Sequence, residues 1–241
     1  MQVSLALPSH LPALRDRLRA LLGPQVAPVR LDPVSQLIHA VLSARTYEEV
    51  SWAAFMRLRA AMEDWTRLAE ADVGELEQII DPVTFADRKA RQLPVLVRVL
   101  LLKRGGLDLD VLAQEPVSVA MAWLMSLPGV GAKAAAATLN FSTLDRPVLV
   151  VDTHVARVAR RLGLVGRGDA QEAHLRLMSQ VPATWTAGDL RELHCLMKTH
   201  GQSICDHFEP ACHLCALTRD CPRTGVGAAG QVLAFRDLRA T

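Results

Sequence analysis

The sequence predicts an all-α fold, and three observations carry that prediction. Apolar residues recur at helical spacing along most of the chain, only Pro147–Val151 reads as extended, and a Leu-Pro-Gly-Val-Gly turn at 127–131 joins two helical stretches. Apolar residues make up 50% of the 241-residue chain, which marks it as globular and is enough for one large core or two modest ones. No apolar run is long enough to span a bilayer, since Val95–Leu102 is short and contains Arg98. The opening MQVSLALPSHLP lacks a basic segment and is broken by prolines, so no secretory signal is expected and the expected location is the cytoplasm.

The elements follow in order. Leu11, Leu14, Leu18, Leu21 and Leu22 share one face of a helix that stops at Gly23-Pro24. Asp32-Pro33 opens the next, with Asp as cap and Pro in the first turn, and Val34, Leu37, Ile38, Val41 and Leu42 form its buried face. Further helices are predicted over Glu48–Met62 and Asp72–Ile80, and over Asp87–Arg104 with Pro94 as a kink or a late start and Gly105-Gly106 as the stop. Two helices flank the 127–131 turn, another starts at Asp152, and two more lie near 169–180 and 187–199. After Cys221 the chain is rich in Gly and Ala and is expected to be loosely held.

Net charge is only +2, but its distribution is uneven. Acids dominate 63–81, bases dominate 85–104, and Arg157, Arg160, Arg161 and Arg167 stand together without an acid between them. Such separation suits one surface that faces an anion, although solvated helix faces would give the same pattern.

The stretch LPGVGAKAAAATLNF at 127–141 reads as a helix-hairpin-helix. Gly129 and Gly131 allow a tight turn and leave the amides at the next helix start open to a phosphate, where the helix dipole is positive. Lys133 lies in the first turn of that helix. It is one of only four lysines, with 89, 103 and 198, in a chain of 23 arginines. A cation at a helix N-terminus is disfavoured, which lowers its pKa and frees an amine to act as a nucleophile. Asp152 caps the helix of VVDTHVARV, on which Val151, Val155, Val158 and Leu162 form the buried face and His154, Arg157 and Arg161 the opposite one. An ordinary N-cap would explain Asp152 alone; beside the hairpin lysine it is also a candidate catalytic carboxylate.

Cys205, Cys212, Cys215 and Cys221 fall within CDHFEPACHLCALTRDC, too close together to be unrelated core cysteines. Gaps of six, two and five residues suit a four-iron cluster. Zinc remains an alternative, although its structural sites usually pair ligands as two close couples, and disulfides are uncommon in a reducing compartment. Cys195, in an apolar stretch, is expected to be an inert buried thiol.

Taken together, VLSAR at 41–45, RKA at 88–90, the hairpin, VVDTHVARV around Asp152, THGQSIC at 199–205 and the four cysteines resemble the endonuclease III family of DNA glycosylases. The resemblance implies two all-helical domains with a DNA-binding cleft between them. Residues 28–145 would form a helical barrel that carries the hairpin, and 1–27 with 146–241 a discontinuous domain that carries a [4Fe-4S] cluster on the four cysteines. It implies catalysis by Lys133 and Asp152, backbone contacts from Gly129, Val130, Gly131, Arg157 and Arg161, and a substrate pocket with Ser43, Glu48 and His154. The partner would be duplex DNA with damaged pyrimidines or abasic sites, bound by a monomer at the nucleoid. The expected activity is removal of oxidised pyrimidines followed by strand cleavage by β-elimination. The alternative is a damage sensor or a low-activity relative of narrow range.

The chain departs from the family pattern around the base. Arg45-Thr46-Tyr47-Glu48 replaces the usual Gln-Ala-Thr-Asp, Ala132 and Ala134 stand where Arg and Thr are common, and Phe85 falls near a wedge position usually held by an aliphatic residue. Arg45 would fill the gap left by a flipped base.

Overall fold

The computed structural model describes residues 10–25 and 29–227, so the opening segment and the last part of the tail, for which expectations were given above, lie outside the described residues. The described residues form ten α-helices and no β-strand. They are α1 His10–Leu22, α2 Pro33–Leu42, α3 Glu48–Ala61, α4 Val73–Ile80, α5 Ala86–Arg104, α6 Val117–Met125, α7 Ala132–Phe141, α8 Thr153–Arg161, α9 Ala170–Met178 and α10 Ala187–Ser203. The all-α expectation holds; Val148–Val151 is buried coil, with Pro147 exposed before it.

The helices group into two compact units. One is Val29–Arg146; the other combines Met1–Pro28, as far as it is described, with Pro147–Thr241.

Within Val29–Arg146, α2 is the central element. Nine of its ten residues are buried, so its apolar pattern reaches all round the helix. Asp32 accepts from the Ser35 amide, and Pro33 occupies the first turn. Helix α7 packs on α2, and its Ala134–Ala137 are all buried. Leu37, Ile38, Phe55, Leu58, Leu93 and Leu96 fill the core. Around Phe55 lie His39, Trp52 and Trp65 at ring-centroid distances of 5.3, 5.5 and 5.9 Å, and the Trp65 indole donates to Ser35 Oγ at 2.8 Å. Helix α5 runs through Pro94 without a break and ends on Gly105 at φ 70°.

The second unit packs α1 and α8 against α10, and α9 against α8. Leu11, Leu14, Leu18, Val155, Leu193 and Leu196 are among its buried residues. Thr186 and Asp189 form a reciprocal capping box at the start of α10, and Arg15 of α1 donates to Asp189 at 2.6 Å. His194 on α10 contacts the Val150 carbonyl at 2.8 Å, which fixes the coil that leads into α8.

Candidate functional site

The hairpin belongs to Val29–Arg146. Gly129 has φ +71°, which favours glycine, and the mobile end of the Gln92 side chain takes the space a Cβ would use, 1.3 Å from Nε2. Gln92 of α5 donates to the Pro128 carbonyl at 3.3 Å and braces the turn from behind. Gly131 differs. Its φ is −93°, and a Cβ would meet open space, so the turn does not require glycine there. The expectation that both glycines serve backbone angles is corrected: Gly131 instead leaves the start of α7 without a side-chain cap. Val130 is buried beneath the turn.

Lys133 Nζ, in the first turn of α7, donates to Ser43 Oγ at 2.9 Å. Ser43 in turn donates to the Ala40 carbonyl at 3.0 Å, so its hydroxyl is oriented with a lone pair toward the amine. Two residues grouped from sequence, Lys133 and Ser43, are thus in contact. Glu48 is exposed at the first turn of α3.

Arg45 and Phe85 both adopt left-handed backbone angles, φ 56° and 60°, which non-glycine residues rarely do. The Arg45 guanidinium lies 6.0 Å from the Phe85 ring centroid and that of Arg88 lies 5.3 Å from it. An exposed aromatic ring with a cation on each flank is a surface suited to stacking on a base.

Sequence reasoning attached no role to Lys89, although it quoted Arg88-Lys89-Ala90. Lys89 is only 5% exposed. Its ammonium donates to the carbonyls of Leu42 and Ala44, both at 2.7 Å, and to Thr46 Oγ1 at 3.2 Å. Burial, reinforced by the charge of Lys133, lowers its pKa to about 8. The only signal in the sequence was the choice of Lys in an arginine-rich chain.

In the other unit, Asp152 caps α8, with Oδ1 accepting from the Val155 amide at 2.8 Å. His154 follows on the first turn. Burial lowers its pKa, and Arg157 Nη2 lies 3.2 Å from its Nδ1. Since a guanidinium only donates, Nδ1 accepts and the imidazole is neutral.

Arg157 and Arg161, expected on DNA phosphates, point elsewhere. Arg161 is 7% exposed, so it does not lie on a solvent face. Its guanidinium donates to the carbonyls of Cys205 at 3.1 Å, Asp206, and His207 at 2.9 Å. Arg157 donates to the carbonyls of Cys205 at 3.2 Å and Gly201 at 2.6 Å. Helix α8 is covered on two sides, and its arginines satisfy the backbone that leads into the cysteine segment.

Cys205, Cys212, Cys215 and Cys221 line one cavity with Val158, Arg161, Leu162 and His200. None of the five cysteines is in a disulfide, and Cys195 is half-buried on α10 rather than fully buried. Burial pushes up the thiols of Cys215 and Cys221, and their fellow cysteines add to the effect. Donors already face three of the sulfurs: Arg161 Nη1 reaches Cys205 Sγ at 3.3 Å, and the amides of Leu217 and Arg223 reach Cys215 and Cys221 Sγ at 3.4 Å each. Four sulfurs gathered in an apolar hollow repel one another as thiolates unless a soft metal centre balances them.

The sequence between 38 and 183 matches a family model described as HhH-GPD superfamily base excision DNA repair protein. The endonuclease III of Thermotoga maritima is 31% identical over 191 residues, 79% of this chain and 83% of that protein. Endonuclease III homolog 2, chloroplastic, of Arabidopsis thaliana is 31% identical over 195 residues, and the chain spans about half, 47%, of that relative's length. Among solved structures, a non-covalent endonuclease III–DNA complex matches with a TM-score of 0.74 at 25% identity, over 91% of this chain and 97% of that one. A trapped endonuclease III–DNA covalent intermediate matches over the same shares with a TM-score of 0.73 at 25% identity.

Proposed function

Because the chain belongs to the endonuclease III family of the HhH-GPD superfamily, we propose that it is a base-excision-repair DNA glycosylase and abasic-site lyase that acts on oxidised pyrimidines in duplex DNA. The observation that carries this reading is the Lys133 amine, held on an oriented Ser43 hydroxyl at the uncapped start of α7. Phosphate on the Gly129–Gly131 turn would fix the strand without reading its sequence.

The target nucleotide leaves the stack at a cost of about a few kcal/mol, which is lowest for a damaged base. The neutral Lys133 amine attacks C1′ as the bond from C1′ to the base breaks. Asp152, oriented by its cap to Val155, stabilises positive charge on the sugar and accepts a proton from the attacking amine. The C1′–O4′ bond then breaks, O4′ takes up a proton, and the ring-opened iminium so formed acidifies C2′. Loss of that proton expels the 3′ phosphate and cuts the strand. The exposed Arg45–Phe85–Arg88 stack would occupy the gap in the duplex.

The four cysteines are proposed to hold a [4Fe-4S] cluster that ties the end of α10 to the segment following it. Their shared cavity and the N–H donors on three sulfurs support this. Purified protein should be yellow-brown and contain iron and inorganic sulfide. A colourless, zinc-loaded, folded protein would overturn the assignment.

Borohydride trapping tests the reaction. Wild-type protein should form a covalent complex with DNA that carries an abasic site or an oxidised pyrimidine, and Lys133→Gln should form none while retaining DNA affinity. Wild-type protein that binds such DNA without trapping would favour the damage-sensor reading.

A further inference from the structure

His200 serves the cysteine segment twice. It lies in the last turn of α10 and is only 2% exposed. Its carbonyl accepts from the amides of Ile204 at 3.0 Å and Cys205 at 2.8 Å, which sets the first cysteine where the helix ends. Its ring lines the cavity of the four sulfurs, with Nε2 3.6 Å from Cys215 Sγ. We propose that His200 is a positioning residue for the cofactor: its Nε2–H donates to the Cys215 sulfur, fixes that ligand relative to Cys205, and raises the reduction potential of the cluster by drawing charge from the sulfur. The proposal rests on the reading of the four cysteines as [4Fe-4S] ligands.

The direction of the contact follows from ligation. A ring nitrogen can donate or accept, and beside a free thiol either is open. A cysteine that binds metal does so as a thiolate, which has no proton to give. The nitrogen facing it must then carry the hydrogen. The opposite tautomer would set a lone pair against the negative sulfur. It would also leave a buried N–H at Nδ1, which has no partner among the described residues. With the hydrogen on Nε2, only a lone pair goes unsatisfied.

The surroundings give no other reason for a histidine. Val158, Leu162, Ile204 and Leu217 line the same cavity, so an apolar side chain would be at home there. Burying an imidazole costs free energy unless it makes a hydrogen bond, and the Cys215 sulfur is the partner that accounts for it. Cys215 Sγ also accepts from the Leu217 amide at 3.4 Å, so it takes two donors, one from the main chain and one from a side chain. Hydrogen bonds to the sulfurs favour the state of the cluster with more negative charge, which is the reduced one. The imidazole is the donor of the two that a substitution can remove.

Voltammetry of iron-loaded, full-length protein tests this. His200→Phe keeps a ring in the cavity and removes the N–H; His200→Gln keeps an N–H of similar reach. His200→Phe should move the midpoint to more negative potential, changing the ratio of reduced to oxidised protein at a fixed potential roughly tenfold, or about 59 mV for one electron exchanged with the electrode. His200→Gln should recover at least half of that shift. An unmoved midpoint in His200→Phe would overturn the proposal, as would equal shifts in both variants, which would assign the effect to packing. Should His200→Phe fail to fold or to hold iron, pulsed EPR of the paramagnetic cluster in protein labelled with 15N-histidine decides. Wild type should show a 15N coupling, and that coupling should vanish in iron-loaded His200→Gln. A wild-type cluster without the coupling, or a coupling that survives in His200→Gln, would overturn the proposal. Wild-type protein that purifies with zinc and no iron would refute the cluster assignment and this proposal with it, a result distinct from an iron-loaded protein whose midpoint does not move.

Discussion

In each unit a buried cation lies beneath a bend of main chain, and the two differ in kind. Lys89 holds the 42–46 turn in one unit; Arg161 holds residues 205–207 in the other. Arg161 is a planar fork that serves three carbonyls and a sulfur at once. Lys89 is a compact point charge with a pKa lowered to about 8 by burial and by Lys133. Of the four lysines beside 23 arginines, Lys89 and Lys133 both donate to residues of the 42–46 turn, and Lys103 and Lys198 lie elsewhere.

The comparison breaks most severely at Arg161. Arg161→Met leaves the Asp206 and His207 carbonyls without their donor while Cys205 O keeps Arg157, at about 1–3 kcal/mol each, or about 2 kcal/mol or more in all. Iron content of the purified protein should fall severalfold and the thermal midpoint should drop. Arg161→Lys should recover less than half of the loss, because an ammonium cannot reproduce the fork. Wild-type iron and stability in Arg161→Met would show that the cysteine segment stands without it.

Asp152 probes the chemistry of the same unit with less structural damage. Asparagine caps helices about as well as aspartate. Asp152→Asn should therefore melt like wild type while base excision slows by a factor of about 10² or more. Cleavage at a preformed abasic site should suffer less. Equal losses in stability and activity would mean that the residue is only a cap.

In the other unit, the two hairpin glycines should part company. Gly131→Asp is sterically free, and the new carboxylate would cap α7 and take the amides a phosphate would use. DNA affinity by fluorescence anisotropy should fall roughly tenfold or more, with stability unchanged or slightly raised. Gly129→Ala should destabilise instead, since its φ is +71° and Gln92 fills the space. Similar phenotypes for both variants would contradict the geometry.

The smallest expected effect concerns pH. His174 is 7% exposed on α9, and burial lowers its pKa, partly opposed by a backbone hydrogen bond to Leu149. Below the ordinary value of 6.5 the unfolded chain takes up a proton that the folded one refuses, so stability falls as pH decreases from there. The slope from this residue is at most about 1.4 kcal/mol per pH unit. His174→Gln should flatten the curve between pH 6.5 and the lowered folded value; an unchanged slope would assign the acid sensitivity elsewhere.

Much of this was legible because the local signals agreed with the global fold. Asp32-Pro33 opens α2, Asp72 and Asp169 cap α4 and α9, and Gly105 ends α5, all where the sequence places them. The short 3₁₀ pieces Trp65–Ala69 and Asp110–Ala113 escaped, being too brief for a period to register. Arg157 and Arg161 were misassigned for a different reason. Periodicity identifies the greasy face of α8 but cannot tell that the charged face meets backbone carbonyls and not water. Lys89 was hidden in a basic run, which reads as a solvated face until a buried turn is seen beneath it.

The cap formed by Asp152 also bears on how such a chain could change over generations. A carboxylate used only for catalysis drifts freely once the reaction is no longer needed. This one also satisfies the Val155 amide. Its replacement by alanine would cost about 1 kcal/mol of helix stability. A descendant that had lost the reaction would still be under selection to keep the aspartate. The fate of Lys133, which no helix end requires, would therefore be the truer record of whether ancestors and relatives kept their chemistry.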